Sequence, residues 1–218
     1  MRAITVSFDR GNDDYSRLLN VFRKSWEDNS PIPLDVKNIP APKTGKRNYP
    51  YVANTRKLEV WANKFNQDTI FVDCDMLCLR CPSTGFDYVE NIGICERSHT
   101  APFNGGVMFL KYTEYSKSFL KSLVEINTRM LDNVTFHKKY NSKYAGLNQS
   151  AMGYLFENGY SYDTVPESYN LCPPFEEWKH AHLIHCKMNH LRNMCLYPND
   201  GPEPLKEVAQ IWKSYDSK

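Results

Sequence analysis

The 218-residue sequence has no apolar run long enough to span a bilayer. Its N-terminus, MRAITVSFDRGNDD, also lacks the charged-then-apolar pattern of a secretory leader. A soluble, cytoplasmic protein is the expectation. A net charge of only +2 gives no bulk electrostatic case for nucleic acid. The local basic group Lys43, Lys46 and Arg47 lies in a Pro/Gly-rich loop and reads as a solvated surface. A compact cysteine framework is missing as well. Seven cysteines, odd in number and widely spread, do not make a secreted disulfide scaffold. Cys78 and Cys81 form one close pair with no second pair at finger-like spacing, so reduced thiols are expected rather than structural zinc. Internal repeats, low-complexity tracts and domain linkers are lacking too, and the length suits one sizeable core.

What is present is an alternation of strand and helix signals. Ala3 to Phe8 is a β-branched apolar run, and Tyr15 to Trp26 has helical apolar spacing with Asp13 or Asp14 as a cap. The Pro-flanked LDVKNI segment is a second strand, Thr55 to Phe65 a second helix, and Thr69 to Val72 a third strand. Strands follow at Ile92 to Cys95, Gly106 to Leu110 and His182 to His185. Helices are expected over Tyr115 to Leu131, Leu147 to Asn158 (stopped by Asn158-Gly159) and Leu205 to Tyr215. This order predicts a Rossmann-like α/β fold whose mixed, mostly parallel sheet is flanked by helices. Ligands bind such sheets beyond the carboxyl ends of the strands, where Asp9, Asp73 and Asp75 all fall.

The central chemical signal is TIFVDCDML. Two carboxylates at i and i+2, placed where an apolar strand stops, can present oxygens to one divalent cation. A nucleoside diphosphate needs such a cation for binding and for departure. Oxygen ligands suit Mg²⁺ or Mn²⁺, and a histidine in the set favours Mn²⁺.

Around this pair stand Asn54-Thr-Arg-Lys57-Leu58-Glu-Val-Trp61, Phe103-Asn104-Gly105-Gly106-Val107, Leu147-Asn148-Gln149, Tyr169-Asn170 and His182-Leu-Ile-His185. In this order the chain resembles the glycogenin and galactinol synthase group of glycosyltransferases, known as family eight, over about residues 3 to 192. The resemblance implies a GT-A nucleotide-diphospho-sugar transferase fold. It also implies one catalytic domain over 1–218, with a nucleotide-binding part over about 1–110 and an acceptor-side part over about 111–200. It makes Asp73, Asp75 and His185 the metal ligands. It assigns Ser7, Phe8, Asp9, Asn54, Lys57, Asp73, Cys74, Asn104, Gly105 and Gly106 to the donor, with Lys187 or Arg192 gripping the diphosphate. Lys57, Asn148 and Gln149 are the expected catalytic positions. The implied reaction moves a sugar from a UDP-sugar to the hydroxyl of a glycan, protein or other acceptor, retaining anomeric configuration.

The chain also departs from that pattern. The family's DQ motif has Asn148 in place of Asp, and an amide cannot serve as a carboxylate nucleophile or base. The family's HxxGxxKPW ending is replaced by His185-Cys-Lys187-Met-Asn-His190-Leu-Arg192. An inverting reaction would need another base, for which Asp163 and Glu167 are the available guesses. Two other readings stand beside the transferase. A nucleotidyltransferase places its carboxylates similarly but wants a Gly-rich basic phosphate loop, and Phe8-Asp-Arg-Gly-Asn-Asp-Asp is acidic. A nucleotide-sugar-binding module without turnover is the other. A nucleic-acid acceptor fits the chemistry but draws no support from the charge.

Overall fold

A computed structural model describes residues 1–9, 13–43, 48–97, 101–172, 177–187, 189–197 and 202–217, the side chains of Asp9, Asp13, Asn189 and His190 excepted. The donor role of Asp9, capping by Asp13, the loop cations Lys46 and Arg47, and His190 lie outside these residues.

The elements run β1 (Arg2–Asp9), α1 (Asp13–Asn29), β2 (Leu34–Pro40), α2 (Tyr49–Lys64), β3 (Thr69–Val72), β4 (Met76–Cys78), β5 (Ile92–Glu96) and β6 (Phe103–Leu110). Then follow α3 (Glu114–Asp132), α4 (Val134–Tyr144), α5 (Leu147–Glu157), β7 (Asp163–Val165), β8 (Leu183–His185), α6 (Asn189–Leu196) and α7 (Leu205–Asp216). Six strands form one sheet in the order β2-β1-β3-β6-β5-β7. Strands β2, β1 and β3 are parallel, β6 runs against both β3 and β5, and β7 is parallel to β5. One antiparallel strand in a parallel sheet is the mixed α/β architecture that the alternation predicts.

Burial on both faces explains the near-continuous apolar strands. All four residues of β3 are buried. Phe71 packs into a cluster with Leu58, Trp61 and Leu120, beneath α2, α3 and α5. Ile70 and Val72 point the other way, against Phe22 and Trp26 of α1. Trp61 and Phe71 stack with ring centroids 5.0 Å apart, and burying each large ring contributes about 2–3 kcal/mol. A third cluster joins the outer face of α1 to β8, α6 and α7 through Leu18, Val21, Ile184, Leu191 and Trp212. Among the described residues, no helix is long and apolar enough to cross a membrane.

Four elements escape the sequence reading. Strands β4 and β7 have three residues each, too few for a period to show. Helix α4 buries only His137, Tyr140 and Tyr144, and α6 falls in the tail where no family motif is left to place it. Helix α2 also starts six residues earlier than its apolar spacing suggests, with Pro50 in its first turn.

Candidate metal and nucleotide site

The sheet places Asp73 one residue beyond β3, and the chain then turns straight into β4. Asp73 N–H donates to Gly106 O at 2.8 Å, tying the turn to β6. Strand β4 pairs with β8, setting Met76 opposite His185, and Cys186 N–H donates to Asp75 O at 2.8 Å. An antiparallel partner strand more than a hundred residues away thus delivers the histidine to the two carboxylates. His185 Nε2 lies 3.6 Å from Asp73 Oδ2 and 3.2 Å from Asp75 Oδ1. One ligand atom from each of the three falls within 4.8 Å of the others, the one such group among the described residues.

The ring orientation of His185 is set by its neighbours. Asn170 Nδ2 donates to Asn104 O at 3.3 Å, which turns Asn170 Oδ1 towards His185 Nδ1, 3.2 Å away. The Nδ1–H then donates to Asn170 and leaves the Nε2 lone pair facing the carboxylates. Two carboxylates and one imidazole nitrogen make a donor set that fits a hard or borderline divalent ion.

Each carboxylate also has a cation of its own. Lys57 Nζ sits 2.5 Å from Asp73 Oδ1 and 4.6 Å from the centre of the Trp61 ring one helical turn on. Arg192, on α6, donates to Asp75 Oδ2 and, at 3.2 Å, to the Tyr15 hydroxyl. Burial opposes the ionised form of Asp75, but His185 and then Arg192 outweigh it and hold the carboxyl well below its usual range. Burial likewise works against a charged His185, and Asp75 reverses that to raise its pKa above 6.5. The Cys74 thiol between the two aspartates is pushed far up, by burial first and then by Asp75 and Asp73, and stays neutral.

Beside the aspartates opens a pocket of about 200 Å³, lined by Phe8, Tyr15, Tyr49, Asn54, Lys57, Asp73, Cys74 and Asp75 among others. Six of the expected donor or metal residues meet there. Tyr15 and Tyr49 were not foreseen. Pro50 as a helix-start signal would have placed Tyr49 at the mouth, because it fixes where α2 begins.

The other expected positions are placed as follows. Ser7 faces the opposite side of β1 from Val6, into a groove with Arg17 and Asn38, because successive strand residues alternate faces. Asn104 is 1% exposed and donates to Cys172 Sγ while accepting from Gly106 N–H at 3.0 Å, so its amide is bonded within the protein. A Cβ on Gly106 would meet His185 Cε1 at 2.6 Å, and one on Gly105 would meet Met152 Cε at 2.6 Å. Both glycines make room for protein side chains. Gln149 Nε2 donates to Phe103 O and Tyr144 O, pinning the start of α5, and Asn148 lies half-buried near Gly105. Asp163 opens β7, the edge strand of the sheet, and accepts from Glu90 N–H at 2.8 Å. Lys187 is partly buried two residues past His185. Burial lowers its pKa, and Arg97 lowers it further. Arg97 was not singled out by sequence. The seven cysteines are free, Cys81 Sγ lying 3.3 Å from Ser83 Oγ.

No protein-family model and no curated protein matches this chain. Solved structures do. The glycosyltransferase GlyE of Streptococcus pneumoniae TIGR4 is similar over 100% of this chain and 61% of its own, with TM-score 0.63 and 15% identity. A glycosyltransferase involved in glycosylation of the major capsid of PBCV-1 is similar over 88% of this chain and 98% of its own, with TM-score 0.62 and 14% identity. The galactosyltransferase LgtC, solved with donor and acceptor sugar analogues, gives 100% and 95% coverage, TM-score 0.61 and 11% identity. The chain therefore spans less than two thirds of GlyE but nearly all of the other two. At these identities the likeness establishes the fold, which is the GT-A fold.

Proposed function

We propose that this protein is a metal-dependent glycosyltransferase that takes its sugar from a nucleotide-sugar donor, UDP-linked by resemblance to family eight. The observation that carries the reading is the convergence of Asp73, Asp75 and His185 at the edge of a pocket with aromatic walls, at the carboxyl ends of β1 and β3. GT-A architecture supports it, because glycosyltransferases of known structure share the fold. Phe8, Tyr15 and Tyr49 offer flat faces to a nucleobase.

Asp73, Asp75 and His185 would hold the metal, with Mn²⁺ favoured over Mg²⁺ by the imidazole. When bound, the ion offsets the charge that gathers on the departing diphosphate. Lys57 orients the Asp73 carboxylate, and its Trp61 contact limits where the ammonium can go. Arg192 spans Asp75 and Tyr15 at the pocket wall, and is the cation placed to grip the diphosphate. Asn104 and Asn170 hold the His185 ring, and Gly106 gives it space. With Asn148 in the DQ position there is no carboxylate there to form a glycosyl intermediate. Retention, if the family's stereochemistry holds, then proceeds by attack of the acceptor hydroxyl from the side of the leaving group.

The test is a panel of UDP- and GDP-sugars with Mn²⁺, Mg²⁺ or EDTA, scored by free nucleoside diphosphate, with Asp75→Ala alongside. Slow hydrolysis of one donor that needs metal and is lost in the variant is the expected result. No hydrolysis and no thermal stabilisation by any donor would overturn the reading. Release of pyrophosphate from a nucleoside triphosphate would point instead to a nucleotidyltransferase.

A further inference from the structure

Arg192 reaches the site from a helix with little hold of its own. Helix α6 spans 8 residues, too few to be stable in isolation. Its buried side chains Leu191, Met194, Cys195 and Leu196 pack with α1 and α7, but apolar burial is non-directional and fixes neither register nor tilt. Polar contacts to the start of α1 supply the direction. Arg192 Nη1 donates to the Tyr15 hydroxyl at 3.2 Å, with the guanidinium carbon 5.3 Å from the centre of the Tyr15 ring. One turn further along α6, Arg17 Nη1 donates to Leu196 O at 2.9 Å. That carbonyl lies in the last turn of α6, where intrahelical donors run out and a cation is favourable. Tyr197 Oη then donates to Asp14 Oδ2 at 2.9 Å.

Arg17 is in turn held by α7. Its Nη2 lies 2.5 Å and its Nε 3.4 Å from the two oxygens of Asp216, and its guanidinium carbon is 5.7 Å from the centre of the Trp212 ring. Tyr215 joins the same brace, its carbonyl accepting from Lys24 Nζ at 3.2 Å and its hydroxyl from Asn29 Nδ2 at 3.0 Å. One guanidinium thus ties α1 to the ends of both α6 and α7. The Arg17 and Asp216 side chains are 37% and 22% exposed, so the ion pair by itself adds little stability. Nor does Arg17 line the nucleotide pocket; it faces the groove with Ser7 and Asn38. Any effect it has on a nucleotide passes through α6.

We propose that Arg17 is a positioning residue for the diphosphate: anchored to Asp216, it caps α6 and so aims Arg192 at the space between Asp75 and Tyr15. This rests on the nucleotide-sugar reading, with Arg192 as the cation for the diphosphate, and adds helix α7 to the working parts of the site. Without the cap, α6 can shift on its apolar face and carry the Arg192 guanidinium away from the diphosphate.

A double-mutant cycle on the full chain, read by UDP calorimetry in Mn²⁺, tests this. R192Q is expected to weaken UDP most. R17Q should weaken it about tenfold, and D216N in the same direction by less. R17K, which keeps the charge but not the fork, should recover part of the loss. Added to R192Q, R17Q should change UDP affinity by less than about twofold, followed by ligand-observed NMR where the isotherm is too shallow. D216N carries the same cycle should R17Q not fold. An equal loss whether Arg192 is present or replaced would make Arg17 merely structural, and an unchanged UDP affinity in R17Q would remove its role; either result overturns the proposal. UDP binding that R192Q does not weaken also overturns it, with the donor reading still standing. Failure of the wild type to bind UDP would overturn the donor reading instead.

Discussion

The pocket side and the β6 side of the candidate metal site are built on opposite plans. On the pocket side, Phe8, Tyr15, Tyr49 and Asn54 line the cavity, and Lys57 pairs with Asp73. On the β6 side, Asn104, Gly105, Gly106 and Gln149 are spent on the protein: amide to thiol, amide to backbone, and missing Cβ atoms that admit His185 and Met152. Both sides belong to the same family-like motifs, yet one lines the pocket and the other braces the residues beside it. A motif match says that a residue is needed. It does not say for what.

This contrast can be broken most severely at the metal itself. Asp75→Ala removes a ligand and strands Arg192, so Mn²⁺ binding followed by spin resonance should fall below detection. Next comes Gly106→Ala, whose Cβ must displace His185. We expect Mn²⁺ affinity to drop about 10- to 100-fold and stability by about 1–3 kcal/mol in urea unfolding, a loss that a residue merely lining a sugar pocket would not cause. Tyr15→Ala should sharpen the other half of the comparison, weakening UDP about tenfold in calorimetry while the apo protein's Mn²⁺ affinity changes little.

Protonation probes the same wall. The His185 pKa lies above 6.5, so the stability from its Asp75 contact is fully present below that value and lost as pH rises through the raised one. The depressed Asp75 works the other way, its contribution present above the ordinary carboxylate value and lost only in strong acid. A metal needs the neutral imidazole. The gain in Tm given by Mn²⁺ should therefore grow as pH climbs through the His185 titration, and flatten above it. The smallest effect is expected at the α4–α5 turn, where Ala145 has φ 52°. Ala145→Gly should raise stability by about 1 kcal/mol in the same urea assay, since only glycine takes that backbone without strain.

Much of this was legible in sequence where burial imposes a strong pattern. Strand β3 is apolar on both faces and stops at Asp73, so its boundary and the carboxylate pair could be read together. Lys57 sits one helical turn before Trp61, and its place on the inner face of α2 follows from that spacing. What stayed hidden depends on long-range pairing. Nothing local in Met76–Cys78 announces a partner strand at Leu183–His185, although that pairing is what brings His185 to Asp75. The role of Asn104 could not be read either, because an amide that bonds Cys172 looks the same in sequence as one that bonds a sugar.

The most direct test of the account is a crystal of the protein soaked with Mn²⁺ and UDP, read by anomalous scattering. The account predicts one strong peak bonded to Asp73, Asp75 and His185, with the base against Tyr15 or Tyr49 and the diphosphate reaching Arg192. Manganese or nucleotide bound elsewhere, with the three side chains still paired only to Lys57 and Arg192, would contradict it.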